Sequence, residues 1–208
     1  MPMPEASVLT STLPQPPPIS WKNSPNLASI PVFGGGSSIL VVWSPDGTAL
    51  EAKSVDVEDE RWRRLPIPAG VKAVPFISSD TLALAYEGKA ITQLAAFSAD
   101  RGEWSIVQLE PPVQEAIAPA LGHGCALYQA GDVFYAFSAQ RGAWDVLHVP
   151  DADNENARAT ISAKYILVQK GNQLYVFGLK QGKWSHGVAM TLRPPTNEAA
   201  ALKTSPAK

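Results

Sequence analysis

The phrase Phe97-Ser98-Ala99-Asp100-Arg101-Gly102-Glu103-Trp104 returns as Phe137-Ser138-Ala139-Gln140-Arg141-Gly142-Ala143-Trp144, 40 residues later. A looser copy, Phe177-Gly178-Leu179-Lys180-Gln181-Gly182-Lys183-Trp184, follows after another 40. A fixed period of that size marks stacked supersecondary units. Each phrase reads as a strand ending in an aromatic, a tight turn with glycine at φ > 0, and a strand opening with Trp. A second set of turn glycines, Gly47, Gly88, Gly131 and Gly171, steps by 41, 43 and 40 residues. Two independent markers therefore keep one period.

Four units follow, each with four short strands. The first, about 27–68, offers Ser29–Phe33, Ser38–Trp43, Ala49–Val55 and Arg61–Leu65. Its third turn, Asp56-Val57-Glu58-Asp59-Glu60, lacks the glycine and meets Arg61-Trp62-Arg63-Arg64, a polar hairpin end with local ion pairs. The second, 71–110, offers Val71–Ile77, Thr81–Tyr86, Ala90–Phe97 and Trp104–Leu109. The third, 113–150, offers Ala116–Leu121, Gly124–Gln129, Val133–Phe137 and Trp144–Val149. The fourth, 156–190, offers Ala159–Ala163, Tyr165–Gln169, Gln173–Phe177 and Trp184–Met190. Pro31, Pro75 and Pro119 recur 44 residues apart in the first strand of three units. Proline removes a ladder donor, so that strand must be an edge strand.

Residues 1–18 are read as a flexible Pro-rich lead-in, 19–192 as the repeat domain and 193–208 as a disordered tail. Ile19-Ser20-Trp21 resembles the Trp-headed strand and stands 41 residues before Trp62, as a pad for the edge of unit one or unit four. The opening stretch has no basic n-region and no uninterrupted apolar core, so it is not read as a signal peptide. No run is long enough for a membrane-spanning helix. With 19 prolines and 15 glycines in 208 residues, many short strands are expected and long helices are not. A net charge of −2 argues against a general nucleic-acid or anionic-membrane binder. The single cysteine, Cys125, excludes an intramolecular disulfide and a cysteine-rich zinc site. A soluble, cytoplasmic protein is expected.

Sheets that are apolar in their middle need neighbours on both faces, and radial stacking supplies them. The aromatic and Trp spaced across a turn resemble kelch-type propeller repeats. Gly131-Asp132-Val133-Phe134-Tyr135-Ala136-Phe137-Ser138-Ala139-Gln140-Arg141-Gly142 is similar to repeats of the pyrroloquinoline-quinone-type propellers. The resemblance covers about residues 27–190 and implies architecture only. The paired glycines of kelch units are missing after the first unit, and the units are short. Quinone binding and dehydrogenase chemistry are not carried over. The expected fold is all-β, a small β-propeller with four blades of four antiparallel strands. A ring closed by four blades as a monomer is favoured, and a homodimer of half-rings is its rival.

The repeated Trp residues suggest either sugar-stacking platforms or packing between blades. His123-Gly124-Cys125 pairs a base with a thiol in sequence, which alone does not make a dyad. His148 and His186 share the parity of the tryptophans, with no carboxylate nearby in sequence. Asp151-Ala152-Asp153-Asn154-Glu155-Asn156 has oxygen ligands suited to Ca²⁺ but lacks the glycine and distal glutamate of an EF-hand. No metal and no cofactor is expected.

Loops gathered around the axis, the usual propeller ligand face, bring Lys72, Lys89, Glu115, Asp132 and Asp153 as binding candidates, with Asp46, Asp151, Glu155 and Lys170 beside them. Ala116-Ile117-Ala118-Pro119-Ala120 gives that axis an apolar, small-residue lining. Nothing there assembles a general acid and base. The expected function is a non-catalytic interaction module binding a protein or peptide, with neither nucleic acid nor membrane as partner. A carbohydrate-binding module is the alternative, and a hydrolase or lyase the third reading.

Overall fold

The computed structural model describes residues 32–33, 38–59, 61–152 and 157–188. Sixteen strands fill these stretches. The first sheet holds β1 (Val32–Phe33), β2 (Ile39–Trp43), β3 (Ala49–Ser54) and β4 (Arg63–Pro66). The second holds β5 (Val71–Ile77), β6 (Thr81–Gly88), β7 (Ile91–Ser98) and β8 (Glu103–Val113). The third holds β9 (Ala120–Gly122), β10 (Cys125–Ala130), β11 (Val133–Ser138) and β12 (Ala143–His148). The fourth holds β13 (Ala157–Ile161), β14 (Tyr165–Lys170), β15 (Gln173–Gly178) and β16 (Lys183–Val188). Every sheet is an antiparallel meander in chain order, and successive sheets stack face to face, a propeller-like arrangement. Among the described residues no helix is long and apolar enough to cross a membrane. The lead-in, Pro31, the Trp21 segment and the tail lie outside the described residues.

The repeated phrase folds as its residue types dictate. Phe97, Phe137 and Phe177 stand directly opposite Trp104, Trp144 and Trp184 across the third hairpin. Their ring centroids lie 5.3, 5.1 and 5.4 Å apart, the contact distance of favourable aromatic pairs. The turn between them closes on glycine: the Gly142 amide donates to the Ser138 carbonyl at 2.8 Å with φ at +61°. In the first sheet, where that glycine is absent, the Asp59 carboxylate pins the hairpin end by accepting from Arg61 and Arg63 at 2.8 Å each. Those guanidinium donors hold the Asp59 carboxyl well below the usual carboxylate range.

The indoles also join sheet to sheet. Trp104 Nε1 donates to the Arg63 carbonyl at 2.8 Å, Trp144 Nε1 to Ser105 at 3.0 Å and Trp184 Nε1 to Asp145 at 3.3 Å. Each acceptor is the residue just after a Trp one unit earlier. The last residues of β7 and β11 add a bond in the other direction. Ser98 Oγ donates to the Ala139 carbonyl at 2.6 Å, and Ser138 Oγ to the Leu179 carbonyl at 2.7 Å. Around these bonds, one apolar core runs through sheets one to three, with Leu50, Leu84 and Phe137 inside it. A second core, with Leu127, Phe134, Val168 and Phe177, fills the space between sheets three and four.

Sheet two is split. β6 pairs with β7 only from Thr81 to Ala83, and the two strands then part. The backbone groups so exposed on β6 are taken up by the next unit. Tyr128 Oη accepts from the Leu84 amide at 3.0 Å and donates to the Leu84 carbonyl at 2.6 Å. Tyr86 exchanges amide–carbonyl bonds with Ile117 at 2.8 and 2.9 Å. A buried polar backbone group must find a partner, and these are supplied in trans by unit three. This corrects the expected first strand of that unit: 116–119 runs across to sheet two, and β9 is only Ala120–Gly122. Pro75 does sit in the edge strand β5, whereas Pro119 precedes β9.

Candidate functional site

The first strands β5, β9 and β13 form one edge of each sheet, and those edges converge around Ala116–Ala118. Pulling Ile117 inward onto Tyr86 buries it to 5 % exposure and leaves Ala116 and Ala118 as a low ridge. A hollow lies on either side of that ridge. One, of about 270 Å³, is bounded by Lys72, Val74, Ala85 and Glu87. The other, of about 260 Å³, is bounded by Ala120, Leu127, Gln129 and Ala159. Val74 is 52 % and Phe76 43 % exposed on β5 alongside, unusual for large apolar side chains. Lys72 Nζ stands 3.9 Å from Glu87 Oε2 at the rim, so the charge there is balanced.

Of the residues expected to bind, Lys72 therefore lines a hollow, and Glu115 is exposed beside the ridge. Lys89 is exposed in the β6–β7 turn and joins no ion pair among those the described residues form. Asp132 stands apart: its Oδ2 meets His148 Nε2 at 2.7 Å, and it borders a hollow of about 250 Å³ shared with Glu110 and Tyr135. Asp153 lies outside the described residues, as does most of the acidic loop around it. Asp151 faces Lys170 at 3.8 Å. Asp46 is engaged by the Ser44 hydroxyl and the Thr48 amide, which hold its carboxyl below the usual range. His148 thus does have a carboxylate partner, which sequence spacing alone did not show. His186 instead stacks on Tyr175 at 4.9 Å. Among the described residues no group of three or more His, Cys, Asp or Glu is placed to hold a metal ion.

The opposite end of the sheets has a different character. His123 Nδ1 is 2.7 Å from Ser79 Oγ and 3.7 Å from Asp80 Oδ2. This has the membership of a Ser–His–Asp triad without its geometry. A triad needs the hydroxyl on one ring nitrogen and the carboxylate on the other, and here both face Nδ1. Asp80 is also committed elsewhere, since its Oδ1 accepts from the Gly124 amide at 2.7 Å and ties sheet two to sheet three. Burial, and then the Asp80 and Asp56 carboxylates, push the Asp100 carboxyl above its ordinary value. Between sheets three and four this end opens into a crevice of about 520 Å³ bordered by His123, Gln140, Lys164, Lys180 and Gln181. Its rim is basic, while the turns of sheets one and two carry Asp56, Asp80 and Asp100.

Cys125 is no nucleophile. It is fully buried in the second core, and burial pushes its thiol up to about 11. Native protein at pH 8 is expected to resist iodoacetamide, and denaturant is expected to raise the alkylation rate at least about tenfold. Rapid alkylation without unfolding, read by mass spectrometry, would contradict the buried placement.

No family model and no curated protein matches this chain. It is similar to solved structures at low identity. Hsv2 of Kluyveromyces lactis aligns at 13% identity over 73% of this chain and 48% of that one, with a TM-score of 0.35. The computationally designed protein Ika4 aligns at 14% over 79% of this chain and 93% of that one, with a TM-score of 0.34. A chain in the S. cerevisiae assembly of Dbp5 with Nup159, Gle1, IP6 and ADP aligns at 9% over 79% and 44%, with a TM-score of 0.32. The chain spans about half the length of the Hsv2 structures it matches.

Proposed function

We propose that the protein is a non-catalytic interaction module that seats a protein or peptide segment on the converging first-strand edges of sheets two to four. The observation that carries this reading is the pair of hollows flanking Ala116–Ala118, with Val74 and Phe76 exposed beside them. Two shallow apolar depressions on one ridge suit two apolar side chains of an extended segment. Small, convergent apolar sites with few polar groups are typical recognition surfaces. The Lys72–Glu87 pair and the exposed Lys89 and Glu115 give that surface a mixed polar rim, which favours orientation over bulk attraction. In this reading the kelch-like and quinone-propeller-like phrases serve the scaffold, and the site needs neither metal nor cofactor.

The alternative use of the tryptophans as sugar platforms finds less support. Trp104, Trp144 and Trp184 are half-buried between sheets, with their Nε1 groups donated to backbone. Panning a phage-displayed random peptide library on the immobilised protein is expected to enrich sequences carrying paired apolar residues. Ala118→Trp, which fills the ridge, is expected to weaken an enriched peptide at least about tenfold, or 1.4 kcal/mol, at unchanged melting temperature. Equal binding by Ala118→Trp, or enrichment of no sequence at all, would overturn the reading.

A further inference from the structure

The indole bond that joins neighbouring sheets uses one donor and one acceptor per unit, the Trp itself and the carbonyl of the next residue. Four stacked sheets form three such bonds. The series leaves one Trp at its start and one carbonyl at its end, and neither makes this bond among the described residues. Trp62, immediately before β4, is 43 % exposed, while Trp104, Trp144 and Trp184 are half-buried. At the other end Ser185 is exposed, while its equivalents Ser105 and Asp145 are covered.

The side chains around these two ends tell the same story. Leu167, Leu174 and Val176 stand on the outer face of sheet four, 40 residues after Leu127, Phe134 and Ala136. The earlier three fill the second core at 4 % exposure or less, and the later three are only half-buried. Tyr165, on the same face, is 42 % exposed. On sheet one the outer face presents Trp62 with Leu40, itself 43 % exposed, and a Glu51–Arg64 pair at 3.5 Å. One end thus carries an indole donor and the other an acceptor with an apolar bed, a heterologous pair of surfaces.

We propose that these ends meet on a second copy of the chain. The outer face of sheet four receives the partner's Trp62, whose indole donates to the Ser185 carbonyl, and the reciprocal contact forms by two-fold symmetry. Closing in pairs makes both contacts at once. A face of four strands, five residues long, covers about 300 Å² in plan from the strand spacing and rise. Four such faces, two from each copy, sum to about 1,200 Å², the threshold of stable interfaces. The paired copies also complete the enclosure around the first-strand edges, because β13 of one copy then neighbours β1 of the other. This inference rests on the stacking of sheets and stands or falls independently of the ligand.

Light scattering on the full chain tests it. The chain mass is 22.2 kDa, and the expected particle is about 44 kDa at protein concentrations near 50 µM. Trp62→Arg and Tyr165→Lys, each placed on an exposed end, are expected to give monomers with near-native circular dichroism. An equimolar mixture of the two is expected to recover dimer in part, because one of its two contacts then joins two intact ends. A wild-type monomer overturns the proposal, including one in which residues 19–22 of the same chain shield Trp62. So does a dimer that neither substitution weakens, or a mixture no more associated than its components.

Discussion

Tyr128→Phe is expected to destabilise the protein by about 2–5 kcal/mol, measured as a shift in the urea midpoint at constant slope. Only one oxygen is removed, yet two backbone groups depend on it. The Leu84 amide donates to that oxygen and the Leu84 carbonyl accepts from it, and Leu84 itself is fully buried. The parted β7 offers neither group a substitute, because its pairing with β6 ends at Ala83. Each buried group left unpartnered costs about 1–3 kcal/mol. Burial pushes the Tyr128 phenol well above its ordinary value, so ionisation does not compete at accessible pH. The Tyr86 hydroxyl close by is buried with the Ala95 backbone facing it outside good bonding geometry, so it provides no relief. A loss below about 0.5 kcal/mol would mean that β6 and β7 can close without the phenol.

Trp144→Ala is expected to cost about 3–5 kcal/mol by the same measurement. The indole packs on Phe137 at 5.1 Å and on Tyr128 at 5.9 Å, and it donates to Ser105 across the boundary of two sheets. Its removal opens a cavity beside the first core and frees the strap that aligns β12 with β8. Trp62→Ala provides the internal control. That indole is already 43 % exposed, so in dilute monomer its loss is expected to cost below about 1 kcal/mol. Equal effects at the two positions would show that the indoles act locally, within their own hairpins, and that the sheet-to-sheet bonds contribute little.

The periodic features could be read without coordinates because each is local. An aromatic, a glycine and a Trp within eight residues specify a hairpin, and the 40-residue return places its copies in neighbouring sheets. The meanders built on Trp104, Trp144 and Trp184 follow from that. The split in sheet two does not, because nothing in Ala83-Leu84-Ala85-Tyr86 distinguishes it from an ordinary inner strand. Its cause lies at Tyr128, 44 residues away. The candidate site was legible in part for the same reason. The small residues of Ala116–Ala120 marked an apolar lining, and Lys72 and Glu115 fall beside it. Asp132 was drawn off by His148, a pairing set by the register of β11 with β12. The hollows themselves depend on Ile117 turning inward, which the sequence shows only as one apolar residue between alanines.

A ladder finished by a residue from the following repeat imposes an order of events. During synthesis, sheet two is complete in covalent terms long before Tyr128 leaves the ribosome, and for that interval the Leu84 backbone stays open to water or to a chaperone. The second and third repeats therefore mature as one cooperative body, and the array is not a string of interchangeable modules. Evolution can lengthen or trim such a chain at its ends far more easily than it can cut between Leu84 and Tyr128.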